Sequence, residues 1–515
     1  MKEGIIMKKL MTLALAAAMM LGAATGANAI DFKAKGQWIM DFNYGMHGDF
    51  AKSKAAGNSG FSRNGNHEDE FEATQRVRLQ LDAVASEALS GTVFFEIGDQ
   101  VWGDNDNGGA LGADGKVVEL KRAYIDWMVP QTDLKVRMGI QGLALPSFTT
   151  NASQIIDDDV AAITLNYQFN ENVGLTAFWA RPYNDNGGYS SRWDGTAYDK
   201  NYMDNMDMFA VLLPLTFDGV KVTPWVMYAA MGPGMFDNLG DKGPGNAWDR
   251  ASTGMISGFQ GTDWNDTYGN AFWAGITGEV TYWDPFRIAW DVNYGSAAYA
   301  DQKMNREGWL ASLLLEYKLD WGTPGLYGWY STGDDNNPRN GSERMPTVSA
   351  NGNNDFSNFA FNGNPYIARE CVLGSTMVGT WGIGARLKDV SFLEDLKHTL
   401  RVNFMGGTNA PKMAKYMRGA AGKDGSFVMP ADAGYGSPYY DPMYLTTEDY
   451  ALEVGLTNTY KMYDNFTIML DAAYIAMWLD DSRNTWGKNA MSGFAGKDGG
   501  TYDAWNVNLS FVYSF

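Results

Sequence analysis

The side chains able to do chemistry in this 515-residue chain are mostly charged, and many come in twos at alternate positions. Lys33 and Lys35, Arg76 and Arg78, and Lys135 and Arg137 are each separated by one residue; Arg122 and the run Asp157-Asp158-Asp159 lie close to the last pair in sequence. Catalytic chemistry is poorly supplied. His47, His67 and His398 are too scattered for a nucleophile–base pair or a metal site, and the single cysteine, Cys371, permits neither an intramolecular disulfide nor a cysteine-built metal centre. Asp104-Asn105-Asp106-Asn107-Gly108 spaces its oxygens as calcium loops do, but Gly115 stands where the closing acid belongs. A solvated external loop, with at most diffuse divalent-cation binding, is the better reading. A net charge of −20 argues against a nucleic-acid partner, which needs basic stripes. The expectation is therefore a non-enzyme without cofactor or metal, whose fixed charges act on ions and dipoles in water.

Those charges need elements that hold them in rows. Phe32, Ala34, Gly36, Trp38, Met40, Phe42 and Tyr44 occupy one phase of the first segment, and Lys33, Lys35, Gln37, Asp41 and Asn43 the other. Period-2 alternation over a dozen residues means a strand with one apolar and one wet face. The pattern recurs around Val77–Ala83, Phe286–Tyr294 and Phe466–Tyr474. Soluble strands average five or six residues, whereas tilted membrane strands need about 9–11, and these segments match the longer figure. With 14% aromatic residues, 60 glycines and no apolar run long enough for a spanning helix beyond the N-terminus, the composition is that of a membrane barrel. Short turns at Ser86-Glu87, Gln131-Thr132-Asp133, Asn170-Glu171-Asn172, Asp218-Gly219 and Asp284-Pro285 alternate with long Gly/Asn/Asp-rich connections, as periplasmic turns alternate with external loops. The fold class expected is all-β, a transmembrane antiparallel barrel of about 18 strands with 16 as the alternative. Aromatics gather toward the strand ends, where two girdles belong.

The ends of the chain agree. Lys8 and Lys9 precede an apolar stretch from Leu10 to Leu21 and the small-residue site Ala27-Asn28-Ala29, a secretory signal with cleavage expected after Ala29. The expected organisation is a signal peptide over 1–29 and one barrel domain over 30–515. The last segment alternates from Trp505 to the terminal Phe515.

The mature start Ile30-Asp31-Phe32-Lys33-Ala34-Lys35-Gly36, the strands Lys121-Arg122-Ala123-Tyr124-Ile125-Asp126-Trp127 and Arg137-Met138-Gly139, and the Phe515 ending resemble trimeric general porins, most closely the homotrimeric outer-membrane porins of sulfate-reducing bacteria. The resemblance implies a bacterial outer-membrane location, a homotrimer in contact with outer-membrane lipid and lipopolysaccharide, and passive diffusion of ions and small hydrophilic solutes. It makes Phe515 an assembly signal and folds the third long loop, roughly 141–160, into the barrel. Asp157, Asp158 and Asp159 would then face a basic wall of Lys33, Lys35, Arg76, Arg78, Arg122 and Arg137 across a constriction. The competing reading lets the three acids solvate a loop end and the arginines pair with Glu72, Asp82 or Asp126. A second function also stays open, a substrate-selective channel with an aromatic-lined lumen, for which Phe94, Phe178, Trp225 and Trp273 fall in the inward phase.

Overall fold

The computed structural model describes residues 30–46, 50, 70–105, 108–112, 115, 118–184, 205–232, 254–255, 268–300, 302–350, 352–362, 371–413, 443–482, 484–486 and 503–515. The export signal with its cleavage site, His47, His67 and the pair Asp106-Asn107 lie outside the described residues.

The alternating segments are strands: β1 (Asp31–Met46), β2 (Glu70–Ser86), β3 (Leu89–Val101), β4 (Glu119–Met128), β5 (Leu134–Ala144) and β6 (Asp157–Gln168). They continue through β7 (Gly174–Asn184), β8 (Asn205–Leu212), β9 (Leu215–Phe217), β10 (Val220–Met231), β11 (Gly269–Val280), β12 (Phe286–Tyr299) and β13 (Arg306–Tyr317). The remainder are β14 (Thr323–Ser331), β15 (Thr380–Leu393), β16 (Leu396–Gly407), β17 (Tyr450–Tyr463), β18 (Phe466–Trp478) and β19 (Ala504–Ser514). β8 and β9 both pair with β10 and are one strand interrupted at Leu213-Pro214, where proline has no N–H to give the ladder. The described segments therefore fill 18 positions, deciding against the 16-strand alternative.

Neighbours in sequence pair antiparallel, and β1 pairs with both β2 and β19, which closes the ring and removes every free sheet edge. Phe515 extends that closure: Gly36 and Phe515 exchange backbone hydrogen bonds at 2.9 and 3.1 Å, and the terminal ring lies 5.3 Å from Trp38. The turns expected at 86–87, 131–133, 170–172, 218–219 and 284–285 all fall at one end of the barrel, and the long connections at the other.

One row of the strands faces out and is apolar and exposed; on β13 these residues are Trp309, Leu313, Leu315 and Tyr317. Aromatic pairs mark both rims, Tyr282–Trp283 and Phe286–Tyr317 at the short-turn end and Tyr44–Trp505 and Tyr294–Trp309 at the long-loop end. An apolar band between aromatic girdles is the surface a barrel presents to lipid.

The core lies inside the ring. Trp273, Leu310, Leu314, Tyr327, Trp329 and Met405 point inward from β11–β16 and are buried. They form one cluster with Ile155, Ile156, Met345, Phe356, Phe361 and Met377, which belong to two connections, 145–156 and the described part of 332–379, that turn into the lumen. Both phases of a strand such as β13 are consequently apolar, one toward lipid and one toward an inserted segment. That is why Leu313, Leu314 and Leu315 follow one another without a polar break.

Candidate functional site

The first inserted segment leaves β5, crosses the ring and is pinned to β12. Asp291 on β12 accepts hydrogen bonds from the backbone N–H groups of Phe148 (3.0 Å) and Thr149 (3.1 Å) and from the Ser147 hydroxyl (2.7 Å), with the Thr149 and Thr277 hydroxyls also donating to it. Arg287, on the same strand, donates to the Phe148 carbonyl at 2.9 Å. The second segment is pinned the same way. One oxygen of fully buried Glu453 on β17 accepts the N–H groups of Asn358 (2.9 Å), Phe359 (2.6 Å) and Ala360 (3.1 Å) and the Ser357 hydroxyl (3.0 Å). Asn403 donates to the other oxygen and to the Phe356 carbonyl. Buried loop backbone must be given partners, and wall carboxylates supply them here.

The segments also join each other. Val348 and Ser349 donate to the Ile155 carbonyl, Asp157 donates to the Ser349 carbonyl, Asp355 to that of Thr150, and the Gln154 amide oxygen accepts the Met377 N–H. The two loops are one hydrogen-bonded body inside the barrel.

A row of charge runs beneath this body. Arg287, Glu316, Gly325, Arg386 and Arg401 stand directly opposite one another across β12–β16. Arg287 and Arg386 each reach Glu316 at 2.7 Å. The second contact spans β14, because a Cβ at Gly325 would lie 3.2 Å from Glu316 Cγ and 3.4 Å from Arg386 Cγ, so the glycine leaves room for the pair. Lys221 and Arg287 both hold Glu279, extending the row to β10. At its other end two buried arginines, Arg386 and Arg401, face each other, a destabilising arrangement unless an anion intervenes. Asp355 of the second inserted segment intervenes, 2.7 Å from Arg386, 2.6 Å from Arg401 and 3.2 Å from Lys388. Burial on its own would raise the Asp355 pKa, but Arg401, Arg386 and Lys388 outweigh it and hold the carboxyl down to about 2.

The residues singled out from sequence lie mainly on the other side of the ring. Arg76 forks onto Asp99 (2.6 and 2.7 Å), Arg78 bonds Glu96 (2.7 Å), and Arg137 forks onto Asp126 (2.7 and 2.8 Å) with Lys135 at 3.2 Å. Arg122 reaches Asp159 at 2.5 Å, joined by Lys121 at 3.3 Å. To do so it crosses β5 at Gly142, where a Cβ would lie 2.9 Å from the guanidinium carbon. Asp157, Asp158 and Asp159 open strand β6 instead of sitting on the inserted loop. Asp158 accepts the Ser349 hydroxyl at 2.8 Å, and Asp159 belongs to the Arg122 pair. Lys33 and Lys35 are exposed at the short-turn end, Lys33 beside Asp31 at 3.8 Å and Lys35 opposite Gln80, two residues from Arg78 on β2. Along β5–β8 of this wall lies a cavity of about 270 Å³ whose lining includes Lys135, Arg137, Gln141, Thr164, Phe178 and Leu212.

The inward aromatics do not form an open track. Phe178, Trp225 and Trp273 are buried, Trp273 donating to the Pro346 carbonyl at 2.8 Å, while Phe94 lies under the Arg122 guanidinium at 5.6 Å. The sequence reading passed over Asp355, Arg386, Arg401 and Glu453. Arg386 and Lys388 repeat the alternate spacing of Arg76 and Arg78, a usable signal; nothing local marks Asp355 or Glu453, which matter through partners 31 to 96 residues away. Among the described residues, no group of three or more metal-ligating side chains comes together.

A closed antiparallel ring of 18 strand positions with a lipid-facing band and inserted loops is the fold of an outer-membrane β-barrel. No family model matches the chain, and no curated protein matches it in sequence. The solved structures similar to it include OpdQ of Pseudomonas aeruginosa, at 10% identity over 94% of this chain and 98% of that one, with a TM-score of 0.47. The outer membrane protein OpdK of the same organism is similar at 9% identity, 94% and 98% coverage and a TM-score of 0.48. OccAB4 of Acinetobacter baumannii is similar at 10% identity, 95% and 100% coverage and a TM-score of 0.47. The likeness to porins of sulfate-reducing bacteria rests on the short motifs alone.

Proposed function

We propose that this protein is a selective outer-membrane channel for ions and small hydrophilic solutes, in preference to an open general-diffusion porin. The observation that carries the reading is the obstruction: two joined segments, fixed to β12, β16 and β17 by buried carboxylates and arginines, occupy the lumen. Solutes are left a charged passage in which size, charge and hydrogen bonding all act on them at close range. The export signal and lipid-facing band support an outer-membrane site in contact with lipid and lipopolysaccharide, and the porin-like motifs support a homotrimer. Phe515, seated at the ring closure, is suited to act as the assembly signal. Planar-bilayer recording with liposome swelling tests the reading: low unit conductance in steps of three and solute flux that saturates with concentration are expected. Flux linear in concentration for every solute, ranked by size alone, would restore the general porin.

A further inference from the structure

Resting on the channel reading, we propose that Asp355 is the residue that sets charge selectivity in the passage and at the same time bolts the second inserted segment to the wall. Its carboxylate is shared among Arg386, Arg401 and Lys388. Along the row from Lys221 to Arg401 the cations are Lys221, Arg287, Arg386, Lys388 and Arg401, and the carboxylates are Glu279, Glu316 and Asp355. Cations already lead. Glu279 serves Lys221 and Arg287, and Glu316 serves Arg287 and Arg386, so neither is released to replace Asp355.

The group is within reach of permeating ions. The side chain of Asp355 is 15% exposed and that of Lys388 33%, whereas Arg386 behind them is 2% exposed. Because the segment carrying Asp355 lies within the ring, that wetted edge belongs to the lumen, within a few ångströms of a permeating ion and inside a Debye length of it at low salt. Asp291 provides the contrast. Among the described residues it accepts only from hydroxyls and backbone N–H groups, so its loss frees the first segment without baring cations.

The test is the full-length protein in planar bilayers under a KCl gradient, with heat-modifiable migration as the check on folding. Asp355→Asn should raise the anion-to-cation permeability ratio several-fold, less so as salt increases, and should add open-channel noise. Asp355→Glu should restore the parent ratio. Asp291→Asn should add noise with little change in the ratio. Lys388→Gln, a milder change at the wetted edge, should shift the ratio toward cations and supplies the measurement if Asp355→Asn does not fold. A folded, conducting Asp355→Asn channel with the parent ratio overturns the assignment, as does an unmoved ratio for Lys388→Gln where Asp355→Asn does not fold. A wild-type protein that forms no conducting channel overturns the channel reading itself.

Discussion

The two sides of this ring handle buried charge differently. On β2–β6 each arginine finds its carboxylate on the same wall: Arg76 with Asp99, Arg78 with Glu96, Arg137 with Asp126, Arg122 with Asp159. The pairs are partly wetted and close between neighbouring strands or, for Arg122, across β5. On β12–β17 the wall is incomplete alone. Asp291 and Glu453 have their oxygens turned to loop backbone, and Arg386 and Arg401 oppose each other until Asp355 arrives from 332–379. One side is a self-neutralised lining, the other a socket. Breaking a buried charged contact leaves its partner uncompensated and costs far more than breaking an exposed one, so the sides should respond unequally to substitution.

The largest effect is expected at the socket. Glu453→Ala strands three backbone N–H groups and the Ser357 hydroxyl in a buried site and should cost on the order of 3 kcal/mol or more. Denaturant unfolding of the purified barrel, with a loss of stable conductance levels, checks it; unfolding at the parent midpoint would place the segment's anchorage elsewhere.

Strong acid should weaken the socket. A carboxyl whose folded pKa is lowered from 3.8 to about 2 stabilises fully above pH 4 and loses that contribution as pH falls through about 2. The difference in stability between wild type and Asp355→Asn, roughly 2 kcal/mol at neutral pH, should therefore persist to about pH 4 and vanish by about pH 2. A gap constant across that range would contradict the pairing.

Gly325→Val sharpens the comparison from the wall itself. Its side chain would enter the space where Glu316 reaches Arg386, and a cost of about 1–3 kcal/mol is expected. Melting measured alongside an Arg386→Met, Glu316→Leu background checks this, since the penalty should fall once the ion pair is absent.

The smallest energetic effect belongs to the lining. Replacing Arg76, Arg78 and Arg122 by Gln leaves Asp99, Glu96 and Asp159 less compensated, so the reversal potential at low salt should move toward cations while stability changes less than at Glu453. Asp157, Asp158 and Asp159 changed to Asn should move it toward anions. An unmoved reversal potential in both would put these residues outside the conducting path.

Alternation of apolar and polar residues, turn residues such as Asp218-Gly219 and Asp284-Pro285, and the uneven lengths of the connections are local properties, and they were sufficient to read the barrel and which end carries the turns, while the choice of 18 strands over 16 took the pairing. The basic side chains Arg76, Arg78, Arg122 and Arg137 were legible too, because inward phase follows from period alone. Of their partners, Asp126, which takes Arg137, was among those expected; Glu96, Asp99 and Asp159 were not: Arg122 crosses β5 to Asp159 only because Gly142 leaves room, and the run from Asp157 to Asp159 is strand where composition suggests loop. Least legible were Asp355 and Glu453, a loop acid and an ordinary strand acid by sequence. Tertiary structure decided their roles, since the cost of burying a charge or a backbone N–H is set by whatever the fold brings within about 3 Å of it, and alternation along one strand carries no information about that.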